Sequence, residues 1–336
     1  MISAIQNSYL TFIEQRRKNI VNDILFGVLI FLSRLYGAAV FFINFCYDKN
    51  IFHIDRLSKR VISIGNISWG GSGKSTLALK ILQYLKGNLK TAILRRGYGI
   101  DEEAMLKDKG VDLYSGKDRV RLARNLENDY DCFILDDGFQ HRRLYRSCDI
   151  VVMAAREFNH AFYLIPAYIF REPLNSLKRA GLVVINYKSE LKNVEEAVLT
   201  VKKYTRAPVF LADYRITFVR DASGIIFSLA RLALLKAAAV TAIGYPQGFF
   251  NKLKAYGVDA AENIIYPDHY ELNKGEADCL SISLAKKAIT HIIVTMKDKN
   301  RFNALLGKFT ILTAEIEMTI DNEDDFRREI DSIVKQ

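Results

Sequence analysis

The chain has 336 residues, 50% of them apolar and 26% charged, which is enough for two ordinary domains with sizeable cores and excludes a wholly disordered chain. Its net charge of +10 favours anionic partners, among them phospholipid headgroups, nucleic acid and phosphorylated substrates. The four cysteines and five histidines are scattered, with no CxxC pair and no histidine cluster, which argues against a disulfide framework or a zinc site and for buried thiols in a reducing compartment.

Residues 1–23 read as a polar, amphipathic lead-in containing Arg16, Arg17 and Lys18. Ile24–Tyr47 follows, almost wholly apolar, with Arg34 near its middle. A bilayer span needs about 20 apolar residues, so the stretch is long enough. A central arginine in hydrocarbon costs at least about 2.5 kcal/mol, and the uninterrupted piece Ile24–Ser33 is short for a span. A helix lying in or dipping into the membrane interface is expected, with Arg34 snorkelling to headgroups. Lys49, Arg56, Lys59 and Arg60 suit an anionic leaflet. The plain alternative is a buried helix of a soluble domain. A cleaved signal peptide is not expected, since the apolar run starts late and no small-residue cleavage site follows.

Val61–Gly65 is apolar and β-branched and predicts a strand. Asn66-Ile67-Ser68-Trp69-Gly70-Gly71-Ser72-Gly73-Lys74-Ser75-Thr76 then makes a glycine-rich turn into Leu77–Leu85, where apolar residues recur at helical spacing. Strand, glycine turn and helix in that order form a phosphate cradle. Backbone N–H groups of Gly70, Gly71, Ser72, Gly73, Lys74, Ser75 and Thr76 can wrap an oxyanion, and the helix start adds its positive dipole end. Lys74 would reach the outer phosphates, and the Ser75 hydroxyl would sit on Mg²⁺. Ser68 stands where the strict pattern has glycine.

Thr91–Leu94 predicts a second strand, running into Arg95-Arg96-Gly97-Tyr98-Gly99-Ile100-Asp101-Glu102. Asp101 stands where a helix N-cap would, or where a carboxylate could be held at the mouth of the site. Lys117, Arg119, Arg121 and Arg124 lie along a predicted helix, Asp118–Leu126, as a solvated face that adds to the positive field. Cys132–Asp137 is an apolar strand ending in two acids, Asp136 and Asp137, the usual partner of a phosphate loop in holding Mg²⁺. Gly138-Phe139-Gln140-His141-Arg142-Arg143 presents polar and basic groups at the same rim. Ile150–Met153 and Gly181–Asn186 predict further strands, and Leu174–Arg179 and Glu190–Thr205 helices. Strand and helix alternate from Val61 to about Thr205, which predicts a doubly wound α/β domain.

Val209–Phe218 reads as an exposed strand paired with Phe309–Thr319. Between them a second, smaller lobe has its own alternation: strand Ala238–Ile243, helix Pro246–Ala255, a loop with Asp268-His269-Tyr270, helix Gly275–Ile289 and strand Ile292–Thr295, ending in Met296-Lys297-Asp298. Asn322–Val334 predicts a charged amphipathic helix. The expected organisation is a membrane-associated segment (1–48), a phosphate-loop core (49–208) and a second lobe (209–336). From these residues alone the chain is an ATP- or GTP-binding phosphotransferase or NTPase. A membrane-associated regulatory ATPase is the alternative, and no nucleic-acid reader module is recognisable.

Gly65–Ser75, Arg96-Gly97-Tyr98-Gly99, Asp136-Asp137-Gly138-Phe139-Gln140-His141-Arg142, Arg171-Glu172-Pro173-Leu174, Leu177-Lys178-Arg179-Ala180, Asp268-His269 and Thr295…Lys297-Asp298 together resemble the tetraacyldisaccharide 4′-kinase family of lipid A synthesis. The resemblance implies a phosphate-loop fold with a second lobe and ATP and Mg²⁺ as cofactors. It implies phosphorylation of the 4′-hydroxyl of a tetraacylated glucosamine disaccharide 1-phosphate at the cytoplasmic face of the bacterial inner membrane. No obligate protein partner is implied. Asp101 and His269 map to the family's catalytic pair, and Lys74 assists. Asn66, Arg96, Tyr98, Gln140, His141, Arg142 and Arg171 are the expected acceptor-side residues. Two departures stand out. The segment between Gly99 and Asp101 lacks the family's insertion, so the carboxylate could be Asp101 or Glu102, and Met296 replaces an acid.

Overall fold

The computed structural model describes residues 20–69, 71–97, 106, 109–159, 161–187, 194–243, 245–267 and 270–335. Tyr214–Met318 form one compact unit, and the other described residues, up to Asp213 and from Thr319 on, form a larger one.

The larger unit runs α1 (Ile20–Asp48), β1 (Arg60–Gly65), α2 (Lys74–Leu85), β2 (Thr91–Arg95), β3 (Leu113–Ser115), α3 (Arg119–Leu126), β4 (Cys132–Asp136), β5 (Cys148–Ala154), β6 (Leu182–Asn186), α4 (Val194–Lys202) and the first part of β7 (Val209–Arg220). The strands lie in the order β3-β2-β4-β1-β5-β6-β7, each parallel to its neighbours. Parallel strands covered on both faces need continuous apolar runs, and β4, β5 and β6 are buried throughout. The chain leaves β1 for β2, returns through β4 and then crosses to β5. That reversal puts β1 at a switch point, where open α/β sheets bind ligands beyond the carboxyl ends of their strands. Ile64 pairs with Asp136, so the loop after β1 and the acids after β4 emerge side by side.

Two glycines permit that closeness. A Cβ on Gly65 would lie 2.5 Å from Phe139 Cβ and 2.6 Å from the Phe139 backbone nitrogen. One on Gly138 would lie 2.7 Å from Ser63 Oγ and 2.8 Å from the Leu135 carbonyl oxygen. Leu174–Arg179, predicted to be helical, forms a 3-10 helix, with Leu174 and Leu177 buried in the core.

α1 is long and apolar enough to cross a membrane, yet its apolar side faces outward. Phe31, Phe41 and Phe42 are 62%, 73% and 62% exposed, and Ile24, Leu25, Val28, Leu32, Leu35 and Ile43 are exposed as well. The inward stripe carries its polar contacts. Ser33 Oγ donates to the Leu164 carbonyl at 2.8 Å and Tyr36 OH to the Arg171 carbonyl at 3.1 Å. A buried core helix would show the reverse pattern.

The smaller unit contains the rest of β7, β8 (Ile226–Phe227), α5 (Leu229–Leu232), β9 (Ala237–Thr241), α6 (Pro246–Ala255), β10 (Glu262–Ile265), α7 (Lys274–Lys286), β11 (His291–Thr295) and most of β12 (Thr310–Ile320). β10, β9, β11 and β12 follow one another in parallel, and β12 pairs with β7 as predicted. Asn273 and Glu276 form a capping box at the start of α7. Asp298 is wholly buried. It accepts from Thr241 Oγ1 at 2.6 Å, Thr295 Oγ1 at 2.8 Å and Arg301 at 3.0 Å. The Thr295–Asp298 motif thus ties the ends of β9 and β11 together. The short strands β3, β8 and β10 are additional to the predicted elements.

The chain re-enters the larger unit and ends in α8 (Glu323–Lys335). Its Phe326 is buried against Phe210 and Tyr84, and Glu323 meets Lys80 Nζ at 2.7 Å and Tyr84 OH at 2.8 Å. The sequence reading grouped this helix with the second lobe. Its apolar stripe instead belongs with α2. Replacing Gly65 with alanine should destabilise the larger unit by about 1–3 kcal/mol through forced overpacking. Urea denaturation checks this, and a wild-type midpoint would contradict the close approach.

Candidate active site

The phosphate loop ends at Gly73, whose φ of 105° lies in the left-handed region that glycine tolerates. No described side chain caps α2, so its first-turn N–H groups are left for an anion, as at other helix starts that bind phosphate. The loop is braced from two sides. Asn186, at the end of β6, donates to the Ser72 carbonyl at 2.9 Å, and Asn66 donates to Ser72 Oγ at 3.3 Å. Ser72 and Ser75 are buried, and Thr76 is half-buried in the first turn of α2.

Charge converges on the acids beyond β4. Asp137 has a φ of 51° and receives two bonds from Arg171, at 2.9 and 3.1 Å. Lys74 Nζ is 3.6 Å from the same carboxylate. Burial works against ionising Asp137, but Lys74 and Arg171 outweigh it and hold the carboxyl well below the usual range. Arg119 donates to the backbone carbonyls of Asp136 at 3.0 Å and Asp137 at 3.3 Å. Arg95 Nε is 3.5 Å from the Asp136 carboxylate.

A strap of chain, residues 164–172, lies along the start of the loop. Arg171 N donates to the Ile67 carbonyl at 2.7 Å, and Trp69 N to the Ile169 carbonyl at 2.8 Å. Arg171 also donates to the Asn66 side-chain oxygen. The next residue, Glu172, is only 3% exposed. One Arg179 nitrogen donates to both of its carboxylate oxygens, at 2.9 and 3.0 Å, and the carboxylate also accepts from Gln140 at 3.0 Å and from Asn44 of α1 at 3.0 Å. Gln140 shares the same nitrogen with the Asn66 carbonyl at 2.9 Å.

Asn66, Ser72, Lys74, Asp137, Gln140 and Arg171 therefore form one connected set, with Ser75 and Asp136 beside it. Gly71, Gly73 and Thr76 lie within the loop and the start of α2. Arg142 is brought to α1 instead, donating to the Asn44 carbonyl at 3.0 Å and to Asp48 at 2.7 Å. His141 is half-buried, and burial together with Arg119, Arg146 and Arg143 pushes its pKa down to about 4. Arg96 is exposed beyond β2. Gly70, Tyr98, Asp101 with its alternative Glu102, and His269 lie outside the described residues.

Arg95, Arg119, Arg179, Glu172 and Asn186 are additions to the predicted set. Arg119 corrects the reading of its helix as a solvated face, because it is buried and grips the backbone of the acids. Glu172 and Arg179 stand in the motifs Arg171-Glu172-Pro173-Leu174 and Leu177-Lys178-Arg179-Ala180, and nothing in their local pattern marks them as a pair. As for a metal, the described residues contain no group of three or more His, Cys, Asp or Glu placed to hold one. Asp136 and the Ser75 hydroxyl are hard oxygen donors beside the loop. That donor set fits Mg²⁺, which takes one or two protein oxygens and otherwise phosphate and water.

The family model for LpxK, tetraacyldisaccharide-1-P 4′-kinase, matches residues 25–335. The chain belongs to this family. It is 31% identical to the tetraacyldisaccharide 4′-kinase of Anaeromyxobacter dehalogenans (strain 2CP-C), over 81% of this chain and 80% of that protein. To that of Halothermothrix orenii it is 26% identical, over 90% of each. Its fold is similar to a crystal structure of LpxK from Aquifex aeolicus in complex with ATP, with a TM-score of 0.72, 26% identity, and coverage of 92% of this chain and 99% of that one.

In this kinase-family chain the neutral form of His141 is favoured by folding. Its folded pKa lies below the unfolded value of 6.5, so between those values the unfolded state binds more protons. The stability it contributes is present above pH 6.5 and is lost as pH falls toward 4. His141→Gln should flatten part of the acid-side fall in thermal midpoint over that window. An unchanged profile would place the titrating groups elsewhere.

Proposed function

We propose that the chain transfers the γ-phosphoryl group of ATP to the 4′-hydroxyl of a tetraacylated glucosamine disaccharide 1-phosphate, the lipid A precursor its family phosphorylates. The observation that carries this reading is the uncapped start of α2 facing the Lys74–Asp137–Arg171 charge set, in a chain that matches its family from residue 25 to 335. Loop N–H groups and Lys74 bind the nucleotide's phosphates, replacing the contact Lys74 makes with Asp137. Arg171, beside the same carboxylate, is placed to neutralise charge on the transferred group, and most of the rate comes from such positioning and charge stabilisation.

Mg²⁺, held through Asp136, Ser75 and by way of Asp137, supplies charge neutralisation on the phosphates when bound. Asp101 accepts the proton of the sugar hydroxyl as the new P–O bond forms, and His269 orients it. Arg96, Tyr98, Gln140, His141 and Asn66 line the acceptor side, with Arg142 holding α1 beside them. The outward phenylalanines of α1 sit in the lipid of the cytoplasmic face of the inner membrane, where the acceptor's acyl chains also reside, and Arg34 reaches the headgroups.

Purified protein in detergent micelles should move ³²P from labelled ATP to a tetraacyl disaccharide 1-phosphate, and Lys74→Ala should abolish the labelled product. ATP hydrolysis with the lipid left unlabelled would turn the reading to a regulatory ATPase. Asp101→Ala should lower kcat about 100-fold or more while raising the KM for ATP far less. A wild-type kcat would remove Asp101 as the base, and Glu102→Ala would then be tested in its place.

A further inference from the structure

The strap 164–172 is gripped from both sides. On one side its backbone pairs with Ile67 and Trp69 of the phosphate loop. On the other it receives Ser33 and Tyr36 of α1, and Asn44 of α1 reaches Glu172. The Asn44 amide has a fixed polarity. Its nitrogen donates to Glu172 at 3.0 Å, while its oxygen accepts from Arg142 at 3.2 Å, so neither end can be reversed without setting like against like. Glu172 accepts from Gln140, Gln140 donates to the Asn66 carbonyl, and Asn66 donates to Ser72 of the loop. An unbroken run of hydrogen bonds therefore joins the apolar N-terminal helix to the phosphate loop. Its links are side chains except at Asn66, which accepts from Gln140 on its backbone carbonyl and passes the run on through its side chain; loss of Asn44 or Gln140 takes one donor from the buried Glu172 carboxylate.

We propose that Asn44 is a positioning residue for nucleotide binding: by holding Glu172 it keeps Gln140 and Asn66 in register, so that the seating of α1 on the strap orders the phosphate loop. Asn44 touches no reacting group in this scheme and acts only through Glu172. The inference rests on the reading of residues 66–76 as the nucleotide's phosphate site. It goes beyond that reading in making ATP affinity depend on a helix whose other face is built for lipid.

The test is a double-mutant cycle on ATP affinity, measured by calorimetry on the full chain in detergent micelles, with steady-state kinetics alongside. Asn44→Ala and Gln140→Ala should each weaken ATP about three- to tenfold, and Asn44→Ala should keep kcat at saturating ATP within about twofold of wild type. The double variant should be no worse than the weaker single within about twofold, because both lesions cut one chain. Asn44→Asp keeps the acceptor for Arg142 and replaces the donor to Glu172 with a like charge, so it breaks that one link while the Arg142 tie of the helix remains. It should weaken ATP at least as much as Asn44→Ala. Phe42→Ala, on the outward face, should bind ATP as wild type does. Wild-type affinity in Asn44→Asp, or a double variant whose loss is the product of the two singles, would overturn the relay. Lys74→Ala separates the two levels of inference. If it loses ATP while the Asn44 variants do not, the relay alone fails; if it retains ATP, the phosphate-loop reading fails and the relay with it.

Discussion

The carboxylate of Asp137 lies between Lys74 and Arg171, and much of the larger unit is arranged to hold it there. β4 delivers it in parallel register with the strand that launches the phosphate loop. Its left-handed backbone and the glycine after it turn the chain sharply at that point, and Arg119 fixes the carbonyls of both acids. Arg171 arrives from the strap, which is itself paired to the loop's first residues. A site that collects this much positive charge around one carboxylate is matched to a ligand carrying more negative charge than a carboxylate does. A nucleotide's terminal phosphates meet that requirement, and the N–H groups at the start of α2 point to the same conclusion independently.

Glu172 is the structural counterpart of that arrangement. A buried carboxylate is costly unless it is paired and hydrogen-bonded. Here Arg179, Gln140 and Asn44 satisfy it from three different elements. Removing one partner from a buried charged pair typically costs about 3–5 kcal/mol, so these elements constrain one another more firmly than apolar contact alone would. Directional bonds are also why α1 can rest on the core through a polar stripe while its phenylalanines face away. In water the hydrophobic effect would favour the opposite orientation of that helix, and its outward face is suited to an apolar surrounding.

Local chemistry made part of this legible in the sequence. The β-branched run before Gly65, the glycines around Lys74 and the acids closing β4 are short-range signals, and each element formed within three residues of where they place it. The pairing of β7 with β12 was also readable, because the first segment reads as an exposed strand and the two flank a block with its own strand–helix rhythm. What could not be read depended on contacts between distant residues. Arg119 looks like its neighbours in a charged helix, and only the three-dimensional position of β4 makes it a buried brace. Arg95, next to the motif arginine Arg96, is separated from it only by the strand's alternation at its end. The outward facing of α1 is likewise invisible to composition, since an apolar stretch does not reveal which side its few polar residues will serve. Short strands such as β3 carry too few residues for any period to register.

The smaller unit enters and leaves the larger one through β7 and β12, and at the crossing Thr319 Oγ1 donates to the Asp213 carbonyl at 3.3 Å. To the polymer that must fold the phosphate-loop core, Tyr214–Met318 is thus one long excursion whose ends are already pinned together. The entropy of closing such a loop grows only logarithmically, about 0.6 kcal/mol for each doubling of its length. Lengthening, trimming or rebuilding that excursion therefore weighs little on the core, provided its two anchoring strands still meet. The folding of the core that grips phosphate is thus insulated from changes of length in the inserted unit.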